Sequence, residues 1–109
     1  MNYQHKNLAG GRWNELPFFE QMANVGSEVE RTIKWKDKNA EFSRMAFERA
    51  LELLDLSLSD KKNIKRLREI ARVREAIVDY FAGANEYASS DESWRKYFYA
   101  FNYAARLGR

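Results

Sequence analysis

Catalysis needs a side chain that attacks, carries a proton or holds a metal, and this chain has few of them. Its 109 residues contain no cysteine and a single histidine, His5. Thiol nucleophiles, disulfides and cysteine metal sites are therefore excluded. One histidine in a polar leading stretch also speaks against Ser–His and Cys–His arrangements, histidine-based metal centres and the paired Glu-x-x-His ligands of di-iron bundles. Gly10-Gly11 has no phosphate-binding lysine after it and carries no meaning alone. A pair of carboxylates can still exchange protons, but the acidic residues fall mostly on faces that read as solvated. The expectation is a protein that is not an enzyme and binds no cofactor and no metal.

Two surfaces remain that could bind something. Lys61, Lys65, Arg68 and Arg72, with Lys62 and Arg66 beside them, recur at three- and four-residue steps and would line one face of a helix. Such a strip can track phosphates, giving salt-dependent binding to RNA or DNA. The plainer explanation is a solvated face, paired with acidic neighbours on an adjacent helix and with Glu69 and Glu75 on its own. The second surface combines Arg95, Tyr99, Tyr103 and Arg106, with Trp13 or Trp35 as possible additions. Tyrosine, tryptophan and arginine anchor protein interfaces, and aromatic rings also stack on unpaired bases. A broad core stripe that swallows one of the tyrosines is the competing explanation.

These residues must be positioned by helices. Ile64, Leu67, Ile70, Ala71, Ile77, Val78 and Phe81 keep a helical period, and no Gly or Pro interrupts them before Gly83. The segment from Asn63 to Phe81 reads as the helix that the others cover. Arg74 falls on this apolar stripe. It either lies on the flank and reaches water or forms a buried ion pair, for which Glu28 is the best candidate.

Upstream, Leu16-Pro17 marks a helix start. Phe18, Met22, Val25, Val29 and Ile33 form its inner stripe, and the pattern fades at Asp37 to Asn39. Gly26 lies within it, at a cost of roughly 1 kcal/mol against alanine, which close approach of a neighbouring helix would offset. Ala40 to Ser57 form a second helix with a wide apolar face from Phe42 to Leu58. Residues 39–60 carry net charge −3 and residues 61–83 net +4. A short turn joins the two helices, so they should lie antiparallel with opposite charges facing. A polar loop with capping residues (Ser89 and Glu92 at capping-box spacing, Ser90 or Asp91 as alternatives) precedes a last helix. Its inner stripe is Trp94, Tyr97, Phe98, Phe101, Ala104 and Ala105. A pocket against Trp94, Phe98 and Phe101 would exist only if the core were imperfectly filled.

The prediction is an all-α protein, an up-down-up-down four-helix bundle. Residues 1–15 are expected to be a flexible arm and residues 16–109 one domain. No segment has the roughly 20 apolar residues of a membrane span, so no membrane partner is expected. The absence of cysteine makes the cytoplasm the expected compartment. Aromatic residues make up 15% of the chain, more than one small core readily hides, and this favours self-association as a homodimer.

The segments LPFFEQMANVGSEVERTIKWK, AFERALELLDLSL, RLREIARVREAIVDYF and WRKYFYAFNYAARL resemble small helical proteins of unknown function from bacteria and archaea. That resemblance covers nearly everything from Leu16 onward and implies a prokaryotic origin without a mechanism. In architecture alone the chain also looks like HEPN-type domains and the proteins encoded in intervening sequences of ribosomal RNA genes. HEPN ribonucleases carry an arginine followed four to six residues later by histidine. Here Asp79 and Tyr80 stand where the histidine after Arg74 would be.

Overall fold

The computed structural model describes residues 11–107, and they form an up-down-up-down four-helix bundle. The helices are α1 (Phe18–Trp35), α2 (Ala40–Leu58), α3 (Leu67–Ala82) and α4 (Asp91–Leu107). Each start has a local cause. Pro17 precedes α1 in an extended conformation, where its missing N–H costs nothing. The Asn39 side chain accepts hydrogen bonds from the backbone N–H groups of Glu41 and Phe42, capping α2. Ser90 and Ser93 bond reciprocally to each other's backbone N–H, a capping box for α4 built one residue later than Ser89–Glu92.

The bundle is organised around α1, not around Asn63 to Phe81 as the periodicity suggests. Eight residues of α1 are buried against three of α3. α1 packs on both α2 and α4, whereas α3 rests mainly on α2. The inner stripe of α3 is Ile70, Val73 and Ile77. Ile64 and Leu67, expected inside, face solvent, Ile64 at 71% exposure. The reason lies in Asn63. Its amide is buried and donates to Gln21 Oε1 (2.8 Å) and to the carbonyl of Ser57 (2.9 Å). Holding that amide inward tightens Lys61–Arg66 into a 3-10 turn and swings Ile64 outward.

The same end of the bundle holds Trp13, which is 1% exposed. It belongs to a 3-10 turn, Arg12–Glu15. Its indole N–H donates to Ser57 Oγ (3.1 Å), and Ser57 in turn donates to the Leu53 carbonyl. Gln21 donates to the Trp13 carbonyl (3.0 Å) and to Asp60 Oδ2 (2.8 Å). Lys62 pairs with Asp60 and donates to the Asn14 carbonyl. The arm expected over residues 1–15 therefore does not reach Trp13, which is part of the core. The rest of that expectation, residues 1–10, lies outside the described residues.

At Gly26, α4 comes close to α1. A Cβ placed there would sit 2.7 Å from Phe98 Cβ and 2.9 Å from Phe98 Cγ. Gly26→Ala is expected to lower stability by about 1–3 kcal/mol in urea unfolding, because the ring must leave its place. Ser27→Ala, on the exposed side of the same helix, should stay within about 0.5 kcal/mol. Equal effects of the two substitutions would mean that the helices can separate at no cost.

Candidate interaction surface

The outer face of α4 follows from its inner one. Trp94, Phe98 and Phe101 are buried, so residues half a turn away face solvent. Tyr99 and Tyr103 are 66% and 54% exposed, and their rings stack on each other at 6.4 Å with 23° between planes. Neither tyrosine is absorbed by the core. Arg95 lies beside them and grips Glu30 of α1 with two hydrogen bonds of 2.9 and 3.0 Å. Arg106 is exposed one turn beyond Tyr103. The four residues expected to form an interface thus share one side of α4. Trp13 is buried elsewhere, and Trp35 packs edge-on against Phe42 at 5.3 Å.

Between α4 and α1 runs an open groove of about 540 Å³, with Gly26 and Phe98 among its lining residues and Glu30, Lys34, Arg95 and Tyr99 along it. Trp94 reaches this groove too, and its buried indole N–H has no partner among the described residues. The stripe of Trp94, Phe98 and Phe101 is otherwise closed by its own packing. On the far side, Tyr97 is held by Glu69 at 2.9 Å. Burial first, and that carboxylate second, push its phenol far above the usual value.

Lys61, Lys65, Arg68 and Arg72 are all exposed, and among the described residues none of them forms an ion pair with a carboxylate. Asp55 of α2 meets Arg74 of α3 and supplies part of the expected charge pairing between these helices. Glu69 pairs with Arg66 instead (3.6 Å), while Arg66 lies over the Phe18 ring at 4.5 Å.

The proposed Glu28–Arg74 pair does not exist. Arg74 forms a two-point contact with Asp55 of α2, at 2.7 and 3.2 Å. Glu28 is buried, but it accepts a hydrogen bond from Arg31 one turn along its own helix (3.1 Å), and its Oε1 has no partner among the described residues. The cause is topological: α1 is flanked by α2 and α4, so a side chain on the flank of α3 meets α2 first. Asp79 and Tyr80 also have structural work. Asp79 accepts from the backbone N–H groups of Glu86 and Tyr87 and shapes the loop before α4.

Tyr80 belongs to a cluster that no periodicity announced, because it joins three helix ends. Asp91 Oδ1 accepts from Tyr80 Oη at 2.5 Å and from Lys36 Nζ at 2.6 Å. Partial burial pushes the Asp91 carboxyl up, but the hydrogen bonds from Lys36 and Tyr80 together outweigh it and leave it below its usual value. Lys36 is raised, chiefly by the bond to Asp91. Glu30, the partner of Arg95, was equally invisible in the sequence, since only the pairing of α1 with α4 brings it near. Among the described residues, no three His, Cys, Asp or Glu side chains converge on a possible metal position, and no helix is long and apolar enough to cross a membrane.

No protein-family model, curated protein or solved structure matches this chain, so the reading of the surface rests on its own geometry.

Two outcomes follow. Asp55→Ala should cost about 1 kcal/mol or less in urea unfolding, the range for a half-exposed pair. A loss of 3 kcal/mol or more would mark a buried one. For Asp91 the lowered folded-state value means its contribution is present above the usual carboxylate value of 3.8 and disappears as pH falls through the folded value. Asp91→Asn should therefore lower the melting temperature at neutral pH and flatten the acid limb of a stability–pH profile. An unchanged acid limb would show that Asp91 titrates identically in the folded and unfolded chain.

Proposed function

We propose that this protein is a non-enzymatic helical interaction module that associates with a second copy of itself through the outer face of α4. The observation that carries this reading is the exposed, mutually stacked pair Tyr99 and Tyr103, with Arg95 fixed beside them by Glu30. Large rings held in place lose little conformational entropy when a partner covers them, which is why such residues concentrate binding energy. A symmetric dimer covers both tyrosines with the same helix face of its mate and needs no other partner. The cysteine-free composition supports a reducing cytoplasm as its setting.

A second reading draws on the unpaired cations Lys61, Lys65, Arg68 and Arg72: an accessory protein that associates with RNA or DNA through their phosphates. Exposed Ile64 interrupts the strip and adds no phosphate contact to it.

Light scattering after size exclusion is expected to give twice the monomer mass at roughly tens of micromolar protein. Tyr99→Ala combined with Tyr103→Ala should return the monomer mass with an unchanged helical spectrum. A wild-type chain that runs as a monomer throughout that range would end the first reading. Filter binding decides the second: no retention of RNA or DNA at low salt would end it.

A further inference from the structure

The solvent-facing residues of α4 have a regular spacing that fixes how two copies would meet. Glu92, Lys96, Tyr99, Tyr103 and Arg106 are all exposed and separated by four, three, four and three residues. This is the spacing at which one helix lays a continuous seam against another. The seam is apolar only at its centre. Its first position is acidic, and its second and last are basic.

We infer that the α4 helices of two copies pack antiparallel, with the two-fold axis beside Tyr99. This inference rests on the self-association proposed above and adds its orientation and register. A two-fold at residue 99 brings Tyr99 against the partner's Tyr99. It sets Glu92 level with the partner's Arg106, and Arg106 level with the partner's Glu92, so each end of the seam closes with an ion pair. Lys96 comes level with the partner's Asn102, within reach of the face of the partner's Tyr103, where an ammonium is attracted by the ring. The parallel alternative stacks Glu92, Lys96 and Arg106 each on its own copy. Like charges face one another at three of five positions, and an interface of this size cannot absorb that repulsion. Charge pattern therefore selects one orientation, and the position of the tyrosine pair selects the register.

Size is consistent with this. α4 has 17 residues and is on the order of 25 Å long. A single helix pair of that length sits at the low end of specific interfaces, which suits a dimer in exchange with its monomer. Arg95 and Glu30 close the flank of the seam, and the packing of Phe98 against Gly26 keeps α4 fixed on α1, so the surface offered to the partner is formed before the partner arrives.

The chain's lack of cysteine makes the test direct. Tyr99→Cys should cross-link to a dimer under mild oxidation. Glu92→Cys and Arg106→Cys should each fail alone and cross-link when mixed in equal amounts. Independently of cysteine, Glu92→Arg and Arg106→Glu should each weaken dimerisation about tenfold, and mixing the two variants should restore wild-type affinity, because both end contacts are again of opposite sign. Cross-linking of Glu92→Cys on its own, or no recovery on mixing while the wild type remains a dimer, would overturn the antiparallel register and leave self-association standing. A monomeric wild type would overturn both.

Discussion

One close approach sets the geometry of the molecule. Position 26 has no side chain, and Phe98 occupies the space one would need. This contact fixes the depth at which α4 lies on α1 and also its rotation about its own axis. With Phe98 turned inward, Trp94 and Phe101 must follow it, and Tyr99 and Tyr103 must point away. The outer face of α4 is thus a consequence of how the core is filled. A helix that slid or rolled by one residue would bury a tyrosine and expose a phenylalanine.

The two ends of the bundle are tied differently from its middle. Between them, aliphatic and aromatic side chains do the packing. At one end Trp13, Gln21, Ser57, Asp60 and Asn63 form a connected set of buried hydrogen bonds that joins the leading turn, α1 and the α2–α3 connection. At the other end Lys36, Tyr80 and Asp91 join α1, α3 and α4. Directional bonds at both ends hold the helix order in a way that apolar contact alone, being non-directional, does not. The cost of this arrangement is visible in Asn63 Oδ1, which is buried and has no partner among the described residues.

The fold was largely readable from the chain, because long amphipathic repeats with caps and breaks report local geometry. Phe18 to Ile33 and the Trp94–Phe98–Phe101 stripe behave as their spacing says, and so does α2 from Ala46 onward; Phe42, expected on the apolar face of α2, is 50% exposed and packs edge-on against Trp35. Gly26 was readable too, since a glycine that weakens a helix needs a neighbour to justify it. What misled was α3. Ile64, Leu67, Ala71 and Val78 keep helical spacing as well as Ile70, Val73 and Ile77 do, and spacing cannot say which of two adjacent stripes meets the core. A buried asparagine decided it, and a lone asparagine has no period. Trp13 was missed for a similar reason: the polar residues around it gave no sign that one indole would be pulled in. On the candidate surface, Arg95, Tyr99, Tyr103 and Arg106 were legible as exposed residues on one side of α4. Glu92 and Lys96 complete the same spacing and could have been read with them. Glu30 and the partners of Asp91 could not, because they come from other helices.

The thin attachment of α3 has a bearing on how the molecule moves. Three buried side chains and its contacts with α2 hold it, with Tyr97 and Tyr80 linking it to α4 through carboxylates. α1, wedged between two neighbours, cannot leave without dismantling the interior. The molecule is therefore stiffer in the α1–α4 half and more yielding in the half formed by α3, beside Lys61, Lys65, Arg68 and Arg72. Fluctuation in that second half can proceed without disturbing the surface on α4.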